Sequence, residues 1–220
     1  MRNIFLVIIL FALPVEVFAT AQIPDYLIYE GNKLPLHVNP LEQFFEKQKK
    51  KRPKGGSISS ANWRGYVAVF KIESGHLLVS DLTIRKPNPE KEYDYLTISV
   101  VDSVFPREKD RIMNWFSGLL VVPRGKRIAY VHLSYASLYE SYLLLKIKNG
   151  SLIESASLTF KDYIKYKRKQ FELYKQTEDY KAQIKKLSKD LEPGSDFDLE
   201  GFLFQWGKFA QFIDIPLPNE

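Results

Sequence analysis

Residues 63–72 read WRGYVAVFKI, and the architecture of the chain follows from them. Apolar side chains fall at both alternating sets of positions, so both faces of this predicted strand are largely apolar. Such a strand is typical of the middle of a sheet, where both faces are covered. A glycine turn at 73–75 and a second apolar stretch at 76–84 then predict a β-hairpin built around a central strand.

The strand–turn–strand pattern recurs downstream, which predicts an antiparallel meander of six or seven strands. The repeats turn at 123–126 and at 148–150, and further strands are predicted at 26–29, 33–36 and 93–101. The hairpins that turn at Gly75 and Gly150 are alike in sequence. Either an old duplication or the shared demand of a tight turn for glycine explains that likeness.

Helices are predicted on both sides of the meander. The first covers about 40–50, with Asn39 as its N-cap and Glu42 closing a capping box. A short helix is predicted at 108–116 and a long one at 160–191. A last helix, capped by Ser195, carries an apolar stripe that should pack on the sheet. The fold class is therefore α+β: a curled or sandwich-like antiparallel sheet packed by a C-terminal helical part, 160–213.

The N-terminus has the three parts of a secretory signal peptide. Arg2 precedes an apolar run at 4–15, and the small residues Ala19-Thr20-Ala21 form a cleavage site. The apolar run is shorter than the roughly 20 residues that span a bilayer. We therefore expect 1–21 to be removed, leaving a single domain, 22–220, that is secreted or periplasmic and has no transmembrane segment. The alternative is an uncleaved anchor helix.

The chain has no cysteine and a net charge of +6. The positive excess is local: residues 47–54 carry six basic and no acidic side chains, and residues 161–190 carry ten basic and five acidic ones. We predict that 47–60 is a mobile basic loop. A weak association with an anionic membrane surface is a possible partner interaction, whereas export argues against nucleic acid.

No sequence signature of catalysis is present. The three histidines have no metal-ligand spacing, and the chain lacks a nucleophile elbow, a P-loop and a dinucleotide fingerprint. We expect no metal and no cofactor. Paired carboxylates are the remaining catalytic possibility, because they pair in space rather than in sequence. The candidates are Asp81, Asp94, Asp102 and Glu140.

Five residues are candidates for a binding site: Arg64, Tyr66, His132, Tyr139 and Glu140. Arg64 begins an otherwise apolar strand, and with its aromatic neighbours it could hold a carboxylate, a phosphate or a sugar. His132 would share a strand face with Glu140. The alternative for Arg64 is a structural ion pair with a carboxylate such as Glu140, and the tyrosines equally suit the interior of a sandwich.

Several short motifs resemble those of a family of small exported bacterial proteins that has no known activity. They are Asn39-Pro40-Leu41-Glu42, the Trp63–Ala68 motif, Phe116-Ser117-Gly118, Pro123-Arg124-Gly125, Tyr130-Val131-His132 and Ser137-Leu138-Tyr139-Glu140. Asn62 and Ala136 stand where the family often has cysteine and glycine. The resemblance implies export and a shared fold.

The sequence as a whole favours an exported, non-enzymatic binding protein with an unknown protein or glycan partner. The alternatives are a carboxylate-dependent hydrolase that acts on glycans and a basic protein associated with the envelope surface.

Overall fold

The computed structural model describes residues 21–131, 135–189, 191–192, 195–206 and 216–218. Within them the chain is α+β, as predicted, with one eight-stranded sheet and five α-helices. The strands are β1 (Asp25–Tyr29), β2 (Asn32–Leu36), β3 (Val67–Glu73), β4 (His76–Pro87), β5 (Tyr95–Ser99), β6 (Gly118–Ala129), β7 (Leu138–Lys148) and β8 (Ser151–Thr159). The helices are α1 (Leu41–Lys47), α2 (Val101–Val104), α3 (Phe160–Tyr174), α4 (Glu178–Ser188) and α5 (Leu199–Trp206).

The sheet is mostly antiparallel and is not closed. Its order is β2-β1-β3-β4-β8-β7-β6, and β5 pairs with the C-terminal half of β4. The exception to the antiparallel rule is β1, which runs parallel to β3. The prediction that residues 63–72 supply an internal strand is confirmed for 67–72. Its second face, however, is only half-buried at Val67 and Val69.

One predicted turn is wrong. Residues 123–126 do not reverse the chain, because β6 runs through them and stays paired with β7. Gly125 instead forms a bulge with φ of 75°, in the left-handed region that favours glycine. There the Lys126 N–H donates to Glu140 Oε2 over 2.7 Å, so a side chain replaces the missing ladder bond.

The helix boundaries also differ from the predictions. Residues 108–116 form only a short 3-10 helix, Glu108–Arg111, after which the chain joins β4 through Met113 N–H to Leu77 O. The predicted long helix breaks after Tyr174, because the Thr177 side chain caps a new helix, α4. Ser195 is not the cap of α5, whose Gly201 N–H is bound by Asp198.

Three apolar clusters form among the described residues. The largest contains residues of β1 to β4, β6 and β7 and includes α1. A second lies on the opposite face of β6, β7 and β8, under α3. The third joins α3 to Leu203 of α5, so the described part of the last helix packs on helices rather than on the sheet as predicted. Residues 118–123 of β6 and 142–147 of β7 are therefore covered on both faces.

Candidate functional site

Arg64, the first predicted binding residue, is buried inside the domain. Only 4% of it is exposed, and its Nη1 lies 2.7 Å from Oδ2 of Asp25, whose side chain is fully buried. Arg64 Nη2 donates to the Ile23 carbonyl over 2.7 Å, and the guanidinium lies 5.2 Å from the centre of the Tyr66 ring. Arg64 thus makes the structural ion pair that the sequence left open, with Asp25 rather than Glu140.

Burial and mutual attraction set the charges of this pair. Burial alone would lower the pKa of Arg64, but the Asp25 carboxylate raises it, so the guanidinium stays charged. Burial raises the pKa of Asp25, although Arg64 and the Ala68 N–H both favour its ionised form. That N–H donates to Asp25 Oδ1 over 2.8 Å. The pair is therefore expensive to desolvate, and each charge depends on the other.

Tyr66 is buried beside this pair and is held by Glu42. Its hydroxyl donates to Glu42 Oε1 over 2.6 Å, and Arg52 binds both carboxylate oxygens of Glu42 at 3.0 and 2.7 Å. Burial raises the pKa of Tyr66 well above its usual value, and the carboxylates of Asp25 and Glu42 add to the shift. The predicted capping box is wrong, because the Glu42 side chain serves this network instead.

An aromatic cluster adjoins the network. His37 stacks on Tyr135 with 5.2 Å between ring centroids, and it meets the edge of Tyr139 at 5.4 Å. The Tyr135 hydroxyl donates to Asn39 Oδ1 over 2.9 Å, which explains why Asn39 does not cap α1. Burial lowers the pKa of His37 to about 4, so its imidazole is neutral at pH 7.

The four predicted binding residues that the structure describes are thus not brought together as one accessible surface. Arg64 and Tyr66 are buried together, Tyr139 is half-buried beside His37, and Glu140 lies at the β6 bulge. His132 lies outside the described residues. A ligand-binding role for these five residues stays a prediction.

The carboxylates considered for catalysis have separate partners. Asp81 accepts from the Ser99 hydroxyl, Asp94 from the Tyr95 N–H, Asp102 from Arg111 and Glu140 from the Lys126 N–H. Nowhere in the described part of the chain do three or more His, Asp or Glu side chains gather as metal ligands would.

A small open cleft of about 150 Å³ lies where the end of β1 meets β6 and β8. It is lined by Tyr29, Glu30, Arg124, Leu143, Ser155, Ala156 and Ser157. Glycoside hydrolysis needs two carboxyl groups within about 10 Å of each other. This lining has a single carboxylate, Glu30, so the cleft does not favour the hydrolase alternative.

Strand β5 is an exposed edge strand of the sheet. All five of its residues are exposed, and among the described strands it pairs with β4 alone. Its apolar side chains include Leu96, which is 44% exposed, and Ile98, which is 37% exposed. On the opposite face, the Arg85 guanidinium lies 4.5 Å from the centre of the Tyr95 ring. The strand was predicted, but its exposure was not.

The pairing of β4 shows which backbone groups of β5 point away from β4. The Arg85 carbonyl points away from β5, to the other edge of β4, where it accepts a hydrogen bond from the Ser57 N–H over 2.7 Å. Because backbone groups alternate in direction along a strand, Ile84 and Lys86 face Ile98 and Leu96 of β5. Tyr95, Thr97 and Ser99 consequently direct their N–H and C=O groups outward, along an edge that no described strand covers.

Comparison with known proteins adds no assignment: no family model, no curated protein and no solved structure matches the chain. The resemblance noted from the short motifs therefore stays a prediction. No described helix is long and apolar enough to cross a membrane.

Proposed function

We propose that the protein is an exported, non-enzymatic binding protein that recognises an extended segment of a protein partner at the free edge of β5. The observation that carries the proposal is this edge, which combines outward backbone groups with exposed apolar side chains. An added strand obtains affinity from main-chain hydrogen bonds and specificity from alternate side chains. An edge of this kind invites pairing with another strand unless it is covered or charged.

The balance of charges around β5 fits a protein segment better than a partner with a strong net charge. Residues 85–99 carry three basic and three acidic side chains, so this part of the domain is neutral overall. The basic surface elsewhere is partly neutralised within the protein, since Arg52 pairs with Glu42 and Lys175 with Glu172 and Glu200. Weak association with an anionic membrane surface stays a prediction.

The export part of the proposal rests on the signal at 1–21 and on the segment that follows it. Ile23 is tied to the domain by its N–H, which donates to the Ala61 carbonyl over 2.7 Å, and by Arg64. Intact-mass analysis of the protein recovered after export should give Gln22 as the first residue. Recovery of an unprocessed chain in the membrane fraction would contradict cleavage after Ala21.

We also propose that the sheet is strongly curled rather than flat. The His37 N–H donates to the Val121 carbonyl over 2.8 Å, which brings the chain just after β2 beside β6, at the other end of the strand order. The largest apolar cluster draws side chains from both halves of the sheet.

The test of the binding edge uses Thr97→Pro. The Thr97 N–H points outward, so proline removes one donor for an added strand and leaves the pairing with β4 intact. Thr97→Val is the matched control, because it keeps the N–H. Immobilised wild type and Thr97→Val should retain a protein from envelope and secreted fractions that Thr97→Pro loses.

Retention by all three proteins, or by none, would contradict the proposed edge. Hydrogen exchange supplies a second measurement, in which the bound partner should slow exchange of the Thr97 and Ser99 amides. Arg64→Ala is unsuited to this purpose, because it would leave the buried Asp25 carboxylate unpaired.

A further inference from the structure

We propose that a partner of β5 is a second copy of the same strand, paired antiparallel across a two-fold axis at Thr97. This inference rests on the proposed function, since it requires β5 to be the binding edge. A second copy is the expected partner because β5 is complementary to itself in its backbone groups, its apolar side chains and its neighbouring charges.

The backbone register follows from which groups point outward. With Thr97 opposite its own copy, Tyr95 lies opposite Ser99 of the second copy, and all three residues direct their N–H and C=O groups toward the second copy. In antiparallel strands such residues exchange two hydrogen bonds per pair, so this register makes hydrogen-bonded pairs at every outward residue. The Tyr95 N–H is already bound by Asp94 Oδ1 at 2.8 Å and must exchange partners to complete the ladder.

The apolar side chains meet in the same register. Leu96 of one copy lies opposite Ile98 of the other, and each copy contributes both residues, so four aliphatic side chains come together on one face. These two positions form the non-hydrogen-bonded pairs, where opposing side chains are closest. Both side chains are among the exposed large apolar residues of the free chain, and pairing would cover them.

The charges on the other face are complementary as well. Ser99 donates to Asp81 Oδ1 over 2.6 Å, which holds this carboxylate beside the end of β5. Tyr95 carries Arg85 over its ring. Tyr95 of the second copy lies opposite Ser99 of the first copy. Arg85 of the second copy therefore approaches Asp81 of the first copy. The two-fold axis produces this pairing of opposite charges twice.

The contact is small, so the dimer should be weak. Stable interfaces bury about 1,200–2,000 Å², and two five-residue strands with one row of neighbours fall below that range. We therefore expect an equilibrium between monomer and dimer that shifts with protein concentration, rather than a permanent dimer.

The absence of cysteine makes a direct test possible, because a single introduced thiol can form a disulfide only between copies. In the proposed register, Thr97→Cys brings two Cα atoms to about 5.5 Å, within the range that a disulfide spans. Ser99→Cys is the matched control on the same edge. Its thiols would lie four residues apart along the strand, about 13 Å, which is beyond disulfide reach.

Under mild oxidation of the exported protein, Thr97→Cys should form a disulfide dimer at least tenfold faster than Ser99→Cys. Sedimentation velocity should show an average mass that rises with concentration for wild type and Thr97→Val but not for Thr97→Pro. Thermal unfolding of each variant checks that the domain is intact.

Equal cross-linking rates of the two cysteine variants, or a wild-type mass that stays monomeric at all concentrations, would overturn the inference. If Thr97→Pro still loses a heterologous partner in that case, the proposed function stands and only the second copy is excluded. If Thr97→Pro changes neither partner capture nor mass, both the function and the inference fail.

Discussion

Replacing Asp25 by alanine should destabilise the domain by about 4 kcal/mol. The change leaves the Arg64 guanidinium charged in a site where only 4% of the residue is exposed, and removing one member of a buried ion pair costs about 3–5 kcal/mol. It also leaves the Ala68 N–H without its acceptor, a loss of about 1–3 kcal/mol. The two effects overlap, because Arg64 can shift toward water and keep its bond to Ile23.

Two further variants separate the charge from the shape. Asp25→Asn keeps an acceptor for the Ala68 N–H and loses only the charge, so about half of the destabilisation should remain. The double variant Asp25→Leu with Arg64→Met removes both charges. It should lie within about 2 kcal/mol of wild type, because well-packed apolar residues often replace a buried pair without loss.

Urea unfolding followed by tryptophan fluorescence measures wild type, Asp25→Ala, Asp25→Asn, the double variant and its two single variants, Asp25→Leu and Arg64→Met. Wild type and the last three form a double-mutant cycle, which gives the coupling between the two side chains. A loss of 4 kcal/mol corresponds to a fall of about 8–16 °C in Tm for a domain of this size. The reasoning is refuted if Asp25→Ala costs less than about 1 kcal/mol. It is equally refuted if the double variant is as unstable as the sum of the single ones.

Three further predictions follow from the same region and from the turns. Because burial lowers the pKa of His37 to about 4, stability should fall as pH drops from 6.5 to 4, by at most about 3 kcal/mol; a His37→Gln variant measured in parallel should lose this component in urea unfolding. Tyr66→Phe removes a hydrogen bond to the Glu42 carboxylate and should cost about 1.5–3 kcal/mol, read from the denaturation midpoint. Gly150→Ala should be markedly more destabilising in thermal unfolding than Gly75→Ala. Both glycines have φ of 77°, but a Cβ at Gly150 would meet main-chain atoms of the adjacent loop at 2.8 Å, whereas one at Gly75 meets nothing within 4 Å.

The parts of the fold that depend on local chemistry were predictable. The β1–β2, β3–β4 and β7–β8 hairpins form where glycine turns separate apolar stretches. The turn expected at Gly125 fails for a reason that sequence does not display. Positive φ suits a β-bulge as well as a tight turn, and the choice depends on Glu140, fifteen residues away along the chain, being able to bind the bulged backbone.

The polar network illustrates the same limit at longer range. Asn39 and Glu42 have the spacing of a capping box, yet tertiary partners claim both side chains: Tyr135 takes the first, and Arg52 and Tyr66 take the second. That Arg64 needed a counter-charge followed from its apolar surroundings. That Asp25 supplies it follows from the parallel pairing of β1 with β3, which no periodicity in either strand reveals.

Strand β5 shows why the accessible surface was the hardest feature to predict. Its alternation of polar residues with Leu96 and Ile98 is the pattern of a strand with one buried face. Burial also requires something to cover that face. The apolar cluster beneath β4 includes Ile84 but neither of these two residues, so β5 continues the apolar face beyond the core that would have covered it. In contrast, the Trp-Arg-Gly-Tyr motif places Arg64 and Tyr66 inside the network that secures β1 and α1. The motif therefore contributes directly to the stability of the domain, and the exposed edge of β5 is where the search for a partner should begin.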